Sequence, residues 1–244
     1  MGAPSDQDPG MASAGPEELI ALLGLFTHDL RNLVASMQAN ARTILDDEGL
    51  GDDARAAAAD LEDLCTAMAR GVQNLDALFP GELPQPRDHV SVAALVTAAV
   101  EGTSGLARLH EITLQVDHAS MAGLETTAHR EWLDLCLYDL LANAMAYSTG
   151  RAPVAIRAES DPVATRLHLD DDGPSLLGTL GPGALTPAVQ RQAHARRGRY
   201  GRTLGLLGAA AAARLGGASV ELADTPSGNR VTLVLPPGRT TPVP

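Results

Sequence analysis

The segment HDLRNLV places a histidine, His28, directly before an acid and one helical turn before an amide. His28 lies about 200° around a helix from Phe26 and from Leu30, so its imidazole is expected to face away from the apolar side. Asp29 can orient one ring nitrogen, and Asn32 shares the same face. The other nitrogen is then available as a nucleophile or proton shuttle. Taken alone, the segment is better explained by an ordinary surface histidine.

Two motifs in the second half of the chain carry oxygen ligands and a close backbone turn. In LYDLLANAMAYS, Asp139 and Asn143 are four residues apart on one helix face, so both can reach one magnesium ion. In LDDDGPS, a predicted strand runs into Asp171 and Gly173. A carboxylate there can accept a hydrogen bond from an exocyclic amine while the glycine backbone approaches closely. Each motif alone also fits a polar helix surface or a turn.

A third motif, GRTLGLLG, spans residues 201–208 and opens an alanine-rich helix. Gly201 and Gly205 would let backbone amides approach a phosphate at the positive end of the helix dipole. Tight helix packing through Gly205 and Gly208 is the alternative. The preceding loop of about 27 residues is too long for a simple connection. Its positive cluster suits a lid over phosphates, or else a solvated basic loop; the arginines are Arg191, Arg196, Arg197 and Arg199.

The elements that must position these residues begin with two long helices. The first is predicted from Pro16 to about Asp47, since its apolar residues recur at helical steps: Leu19, Leu22, Phe26, Leu30, Leu33, Met37 and Ile44. After a turn at 49–53, a second helix repeats the pattern with Leu61, Leu64, Met68, Val72, Leu75 and Leu78, and Phe79-Pro80-Gly81 ends it. One antiparallel hairpin cannot cover both stripes, so a homodimeric four-helix bundle is expected over residues 16–80.

The rest of the chain predicts a second domain. Residues 81–89 are proline-rich and indicate a linker, and residues 90–237 alternate helical and strand patterns. Helices are expected at 91–100, 132–147 and 204–215, and strands at 110–117, 154–158, 165–170, 219–222 and 230–235. This alternation favours an α/β sandwich, so the fold class is α+β with an N-terminal helical hairpin. Residues 1–15 and 238–244 are expected to be disordered.

Composition excludes several classes of function. The 244 residues are 45% hydrophobic but only 2% aromatic, and the net charge is -12, so a nucleic-acid partner is not expected. No stretch has the length of a membrane span. Cys65 and Cys136 lie among apolar neighbours without metal-site spacing, which favours reduced core thiols. A cytoplasmic protein is predicted.

The order of these motifs resembles the bacterial two-component sensor histidine kinases, over residues 17–236. HDLRN is similar to the phosphoacceptor box, DLLANAMAYS to the asparagine box, and DDGPS and GRTLGLLGAAAAARLGGASVEL to the two glycine boxes. The resemblance implies a helical dimerisation and phosphotransfer hairpin followed by a GHKL-type ATPase domain. The expected cofactors are ATP and Mg2+, and the expected partner is a response-regulator receiver domain.

The resemblance also assigns roles to residues. It implies that His28 is phosphorylated, that Asp29 assists transfer and that Asn32 orients water. Its implied ligand residues are Asn143 for magnesium, with Asp139 beside it, Asp171 for the adenine amine, and Gly173, Gly201 and Gly205 for the shape of the pocket.

Three departures from the family's boxes keep two alternatives open. Ala146 stands where a basic residue is usual, and Ser175 and Thr203 stand where glycines are usual. The second hypothesis is therefore an ATP-independent histidine phosphotransferase that relays phosphoryl groups between receiver domains. The third is a non-catalytic dimeric scaffold that docks a receiver domain.

Overall fold

The computed structural model describes residues 16–47, 49–80, 88–181, 184–186, 189 and 203–237. Two helices open the chain, α1 (Pro16–Leu45) and α2 (Asp52–Leu78). Proline in the first turn suits the start of α1, since its missing N–H has no partner there. Asp52 and Asp53 were expected in the turn, but they form the first turn of α2, where acids favour the positive end of the helix dipole.

The contact between α1 and α2 uses small residues at seven-residue spacing. Its buried members are Thr27, Val34 and Ala41 on α1 and Ala58, Cys65 and Val72 on α2. Gln38 donates to Thr66 at 3.0 Å across this contact. Leu33, Met37 and Ile44 of the predicted apolar stripe remain exposed in the single chain and form a second apolar stripe on α1. Small side chains let the two helices approach closely, and the large ones point elsewhere.

The second part of the chain is an α/β sandwich. Its helices are α3 (Val92–Gly102), α4 (Ser104–Leu109), α5 (Arg130–Tyr147), α6 (Leu176–Leu180) and α7 (Thr203–Gly216), with a 3-10 turn at His118–Met121. The strands are β1 (Asp88–Ser91), β2 (Leu114–Val116), β3 (Glu125–Ala128), β4 (Val154–Ser160), β5 (Thr165–Asp171), β6 (Ser219–Thr225) and β7 (Gly228–Leu235).

One five-stranded sheet forms the frame of the sandwich, in the order β2-β4-β5-β7-β6. β2 pairs parallel with β4, and the other pairs are antiparallel. Alternate residues such as Leu167, Leu169 and Leu233 are buried against α5 and α7. Helix α5 is apolar on most of its surface because it lies between the sheet and other helices. The C-terminal half of α2 also packs on α5 and α7, where Ala77 joins the same core.

Several short elements depart from the sequence-based expectations. Asp88 and His89 were expected in the linker, but they belong to β1, which pairs with β3 from Asp88 opposite Ala128. The strand expected from His110 begins only at Leu114, since the preceding residues form a turn with Glu111 at a positive φ of 55°. Such short edge elements are set by tertiary pairing and have too few residues for a clear periodicity. None of the described helices is long and apolar enough to cross a bilayer.

Candidate functional site

The phosphoacceptor candidate lies in the middle of α1. The backbone of His28 and Asp29 is helical there, and their side chains lie outside the described part of the structure. Asn32 follows one turn later, and its side chain is exposed on the helix surface. Thr27, immediately before His28, is buried in the contact with α2.

One end of the second candidate site, here called the strand end, comprises Asp171, Gly173 and Asn229. Asp171 is the last residue of β5 and is buried. Its Oδ1 accepts the Gly173 N–H at 2.7 Å and an Asn229 Nδ2–H at 2.9 Å. Burial raises the pKa of Asp171, and these two hydrogen bonds act in the opposite direction. The carboxyl is therefore fixed in orientation by two donors on one oxygen.

Two glycines make this arrangement possible. A Cβ on Gly173 would lie 2.8 Å from the backbone oxygen of Tyr147, so the turn after β5 fits only glycine against the end of α5. Gly228 has a positive φ of 155°, and a Cβ there would collide with the backbone oxygen of Asp171. Gly173 therefore lets the turn after β5 lie directly against the end of α5, which joins the strand end to that helix.

Asp172 stabilises the loop that follows α5 through hydrogen bonds to its carboxylate. Its carboxylate accepts hydrogen bonds from the hydroxyls of Ser148 and Thr149 and from three backbone N–H groups, those of Thr149, Arg151 and Ala152. Burial alone would raise its pKa, but these hydrogen bonds bring the pKa well below its usual range. Asp172 therefore serves the structure of the loop beside the site.

The other end, here called the helix end, comprises Asn74 on α2 and Asp139 and Asn143 on α5. Asp139 is only 6% exposed, and burial raises its pKa to about 7 against the lowering effects of Asn74 and Arg70. Among the described residues, Asp139 Oδ2, Asn143 Nδ2 and Asn74 Oδ1 are buried without a hydrogen-bond partner. The structure thus brings the two predicted magnesium residues to one place, together with an amide from α2.

The glycines of the third motif lie against this end. Gly205 faces the side chain of Asn143, with a built Cβ 3.2 Å from its amide nitrogen. Gly208 faces Asn74 so closely that no Cβ would fit. Both glycines therefore serve close helix packing, which was the alternative interpretation. Gly201 and the four loop arginines lie outside the described residues.

The position where Ser175 replaces a glycine has a structural role. Ser175 caps α6, accepting the Gly178 N–H at 2.6 Å, and its hydroxyl donates to Asp224 at 2.6 Å. Asn229 accepts the Leu176 N–H at 2.7 Å. The loop after the strand end is thus tied to β6 and β7.

The donor set of the helix end fits magnesium in its chemistry. Mg2+ is commonly held by one or two protein oxygens, and substrate phosphates and water complete its shell. Asp139 presents a carboxyl oxygen with no partner among the described residues, and Asn143 lies one turn further along the same helix. Across the described chain, no three acidic, histidine or cysteine side chains cluster as a complete metal site, so phosphates would have to supply the rest.

Two residues of the site were missed by the sequence analysis. Asn229 lies opposite Asp171 in the β5–β7 register, and Asn74 comes from the hairpin. Neither belongs to a motif. The strand register is the feature that identifies Asn229 as a site residue. In the sequence, its position directly after Gly228 at the start of β7 is only a weak indication.

Comparison with known proteins identifies the fold. No family model matches the chain, and no curated protein matches it by sequence. The full-length structure of ShkA in complex with AMPPNP matches with a TM-score of 0.62 and 16% identity, over 91% of this chain and 47% of that one. The histidine kinase AdeS of Acinetobacter baumannii matches with a TM-score of 0.55 and 15% identity, over 87% and 98%.

A third match is to an isolated catalytic domain. The nucleotide-free catalytic domain of the histidine kinase ThkA has a TM-score of 0.51 and 16% identity, over 63% of this chain and 99% of that one. The chain spans about half the length of ShkA. The chain therefore shares a mixed helical and sheet fold with these three histidine kinase structures.

Proposed function

We propose that this chain is a two-component histidine kinase that binds ATP with Mg2+ and phosphorylates His28. The observation that supports this most is the strand end, where a buried carboxyl on Asp171 is oriented by Gly173 and Asn229 beside a glycine turn. A carboxyl held in this way can accept a hydrogen bond from the exocyclic amine of adenine. The fold shared with ShkA and AdeS supports the same assignment.

The proposed reaction uses few groups. A lone pair on an imidazole nitrogen of His28 attacks the γ-phosphorus of ATP, the bond from that phosphorus to the bridging oxygen breaks, and ADP leaves with the electron pair. Asp29 orients the ring and accepts its proton. Magnesium would neutralise charge on the phosphates, near Asp139 and Asn143. The phosphoryl group then passes to an aspartate on a response-regulator receiver domain, and Asn32 orients water when that partner is dephosphorylated.

Incubation with ATP labelled at the γ-phosphate tests the assignment of His28. We expect acid-labile label on the protein, mapped to His28 by mass spectrometry and absent from His28→Ala. His118→Ala is the matched control, since His118 is an exposed histidine in the sandwich. Label that persists in His28→Ala, or that disappears equally in His118→Ala, would contradict the assignment.

The ATP-independent phosphotransferase is the second candidate, and one observation favours it. Asp139 is buried beneath Asn74, so this conformation does not present it to a ligand. The relay hypothesis predicts that His28 receives phosphate from a phosphorylated receiver domain and never from ATP. The two functions are separated by offering both phosphoryl donors to the same preparation.

We also propose a homodimer through α1 and α2. Leu33 is 62% exposed, and Met37, Ile44 and Met68 are exposed as well. A second hairpin would cover this stripe and form a four-helix bundle. Leu33→Asp should give a monomer in light scattering, because it places a charge in the bundle. Leu109→Asp, at an exposed leucine of α4, should leave the dimer intact; a wild-type monomer would reject the proposal.

A further inference from the structure

Helix α2 docks on the sandwich through a small polar patch, here called the α2 latch. Its residues are Arg70 and Asn74 on α2, Tyr138 and Asp139 on α5, and Gly208 on α7. The Arg70 guanidinium carbon lies 4.5 Å from the centre of the Tyr138 ring, a cation–π contact. Asn74 is 4% exposed and lies between Asp139 and Gly208. The hairpin thus reaches the proposed magnesium carboxyl itself.

The fit of the latch depends on a single glycine. A Cβ built on Gly208 would overlap three atoms of the Asn74 side chain, Oδ1, Cγ and Cβ. By contrast, Gly71 on α2 has no atom within 4 Å of a built Cβ. Alanine at residue 208 therefore cannot coexist with the docked position of Asn74, whereas alanine at residue 71 can. The docked arrangement can be broken without touching the hairpin seam.

The α2 latch also buries polar atoms that have no hydrogen-bond partner among the described residues. Asn74 Oδ1, Asp139 Oδ2 and Asn143 Nδ2 are buried with no partner in the described part of the chain. Burial of each such group costs desolvation free energy that no hydrogen bond recovers. A ligand that satisfied these groups, or an opening that let water reach them, would recover that free energy. The docked state is consequently poised to open.

We infer that the α2 latch is an autoinhibitory contact in which docked Asn74 and a magnesium-bound nucleoside triphosphate compete for Asp139. This inference rests on the proposed function, since it concerns the regulation of the same site. In the docked state α2 covers the carboxyl and excludes the ligand. In the open state Asp139 and Asn143 are available, and α1 with His28 is released from its fixed position relative to the sandwich.

Oxidative footprinting of Tyr138 measures the latch directly, without any nucleotide. Tyr138 is buried under Arg70 in the docked state, and mass spectrometry separates it from the other tyrosines. Gly208→Ala should increase Tyr138 oxidation severalfold, and Gly71→Ala should leave it unchanged. Asn74→Gln supplies a second wedge from the hairpin side, in case the alanine in α7 impairs folding. Magnesium with an unhydrolysable ATP analogue should increase Tyr138 oxidation in the unmodified chain.

Calorimetry on the same full-length variants completes the test. Opening the latch should tighten Mg–ATP binding by at least about fivefold in Gly208→Ala, the lower range of ordinary coupling free energies, and leave Gly71→Ala at the wild-type affinity. Equal affinity in all variants, or oxidation of Tyr138 that does not change with either wedge, would overturn the latch while leaving the kinase intact. Failure of every form to bind ATP, even with Tyr138 exposed, would overturn the proposed function and the latch with it.

Discussion

The strand end and the helix end of the candidate site differ in how completely their buried polar groups are paired. At the strand end, Asp171 Oδ1 has two donors, and Asn229 uses both its amide oxygen and its amide nitrogen. At the helix end, Asn74, Asp139 and Asn143 each keep a buried polar atom without a partner among the described residues. Paired groups fix geometry, whereas unpaired groups raise the free energy of the state that buries them.

The difference follows from what positions each end. Asp171 and Asn229 are opposite one another on neighbouring strands, so the sheet register sets their distance. Asn74 instead arrives on a separate helix, whose approach is limited by Gly208. The geometry of the strand end is thus set by the sheet itself, whereas the geometry of the helix end depends on where α2 lies. This comparison leads to three predictions, given in order of decreasing effect.

Removal of the Asn229 side chain should have the largest effect on the free energy of unfolding. Asn229→Ala leaves buried Asp171 with one donor fewer and the Leu176 N–H without its acceptor, which should cost about 3 kcal/mol of unfolding free energy. ATP affinity should fall together with stability. Urea denaturation measures the first and calorimetry the second. A loss below 1 kcal/mol would mean that the strand end is not held by its hydrogen bonds, and the comparison would fail.

Replacement of Asp172 should have an intermediate effect on the free energy of unfolding, and that effect should depend on pH. Its folded pKa is lowered, so its stabilising contribution is present above the unfolded pKa and is lost as the pH falls through the folded value. Asp172→Asn should therefore destabilise the sandwich by about 1–2 kcal/mol at pH 7, after allowance for solvent screening. The difference in unfolding free energy between the two proteins should become smaller as the pH is lowered. A deficit of the same size at low pH would show that the charge is irrelevant.

Replacement of Asp139 should have the smallest effect on the free energy of unfolding, and its pH dependence should be opposite to that of Asp172. Its pKa is raised to about 7, so the stability it contributes is present below the unfolded pKa and is lost as the pH rises through 7. Asp139→Asn should match the unmodified protein at about pH 3.5, below the unfolded pKa, and be more stable by about 1 kcal/mol at pH 8, because it removes a buried charge with incomplete pairing. Thermal unfolding at the two pH values measures this. Destabilisation at pH 8 would show that the helix end is well paired after all.

The sequence predicted the framework better than the contacts. Long periodic segments, α1, α2, α5 and the β6–β7 hairpin, are confirmed within a few residues of their expected bounds. The stripe of α1 that meets α2 was not predicted, because heptad-spaced Thr27, Val34 and Ala41 are too weakly apolar to stand out beside leucines. The short strands β1 and β3 were not predicted, because a four-residue strand is defined by its pairing and not by a periodic pattern in the sequence.

The same distinction applies to the site. Asp139, Asn143, Asp171 and Gly173 lie in local motifs, so the sequence alone could nominate them as candidates. Asn74 and Asn229 reach the site through helix docking and strand register, two long-range features that a local pattern does not encode. The roles assigned to Gly205 and Gly208 depended on the same missing information, since only the three-dimensional packing shows which side chains they face.

The most direct test of the central claim is calorimetric titration of the unmodified chain with ATP, in the presence and absence of Mg2+. We predict saturable binding that Mg2+ tightens, with the magnesium dependence lost in Asn143→Ala and the affinity reduced in Asp171→Asn while the sandwich stays folded. Absence of any binding at millimolar ATP with Mg2+ would contradict the kinase assignment and leave the ATP-independent phosphotransferase in its place.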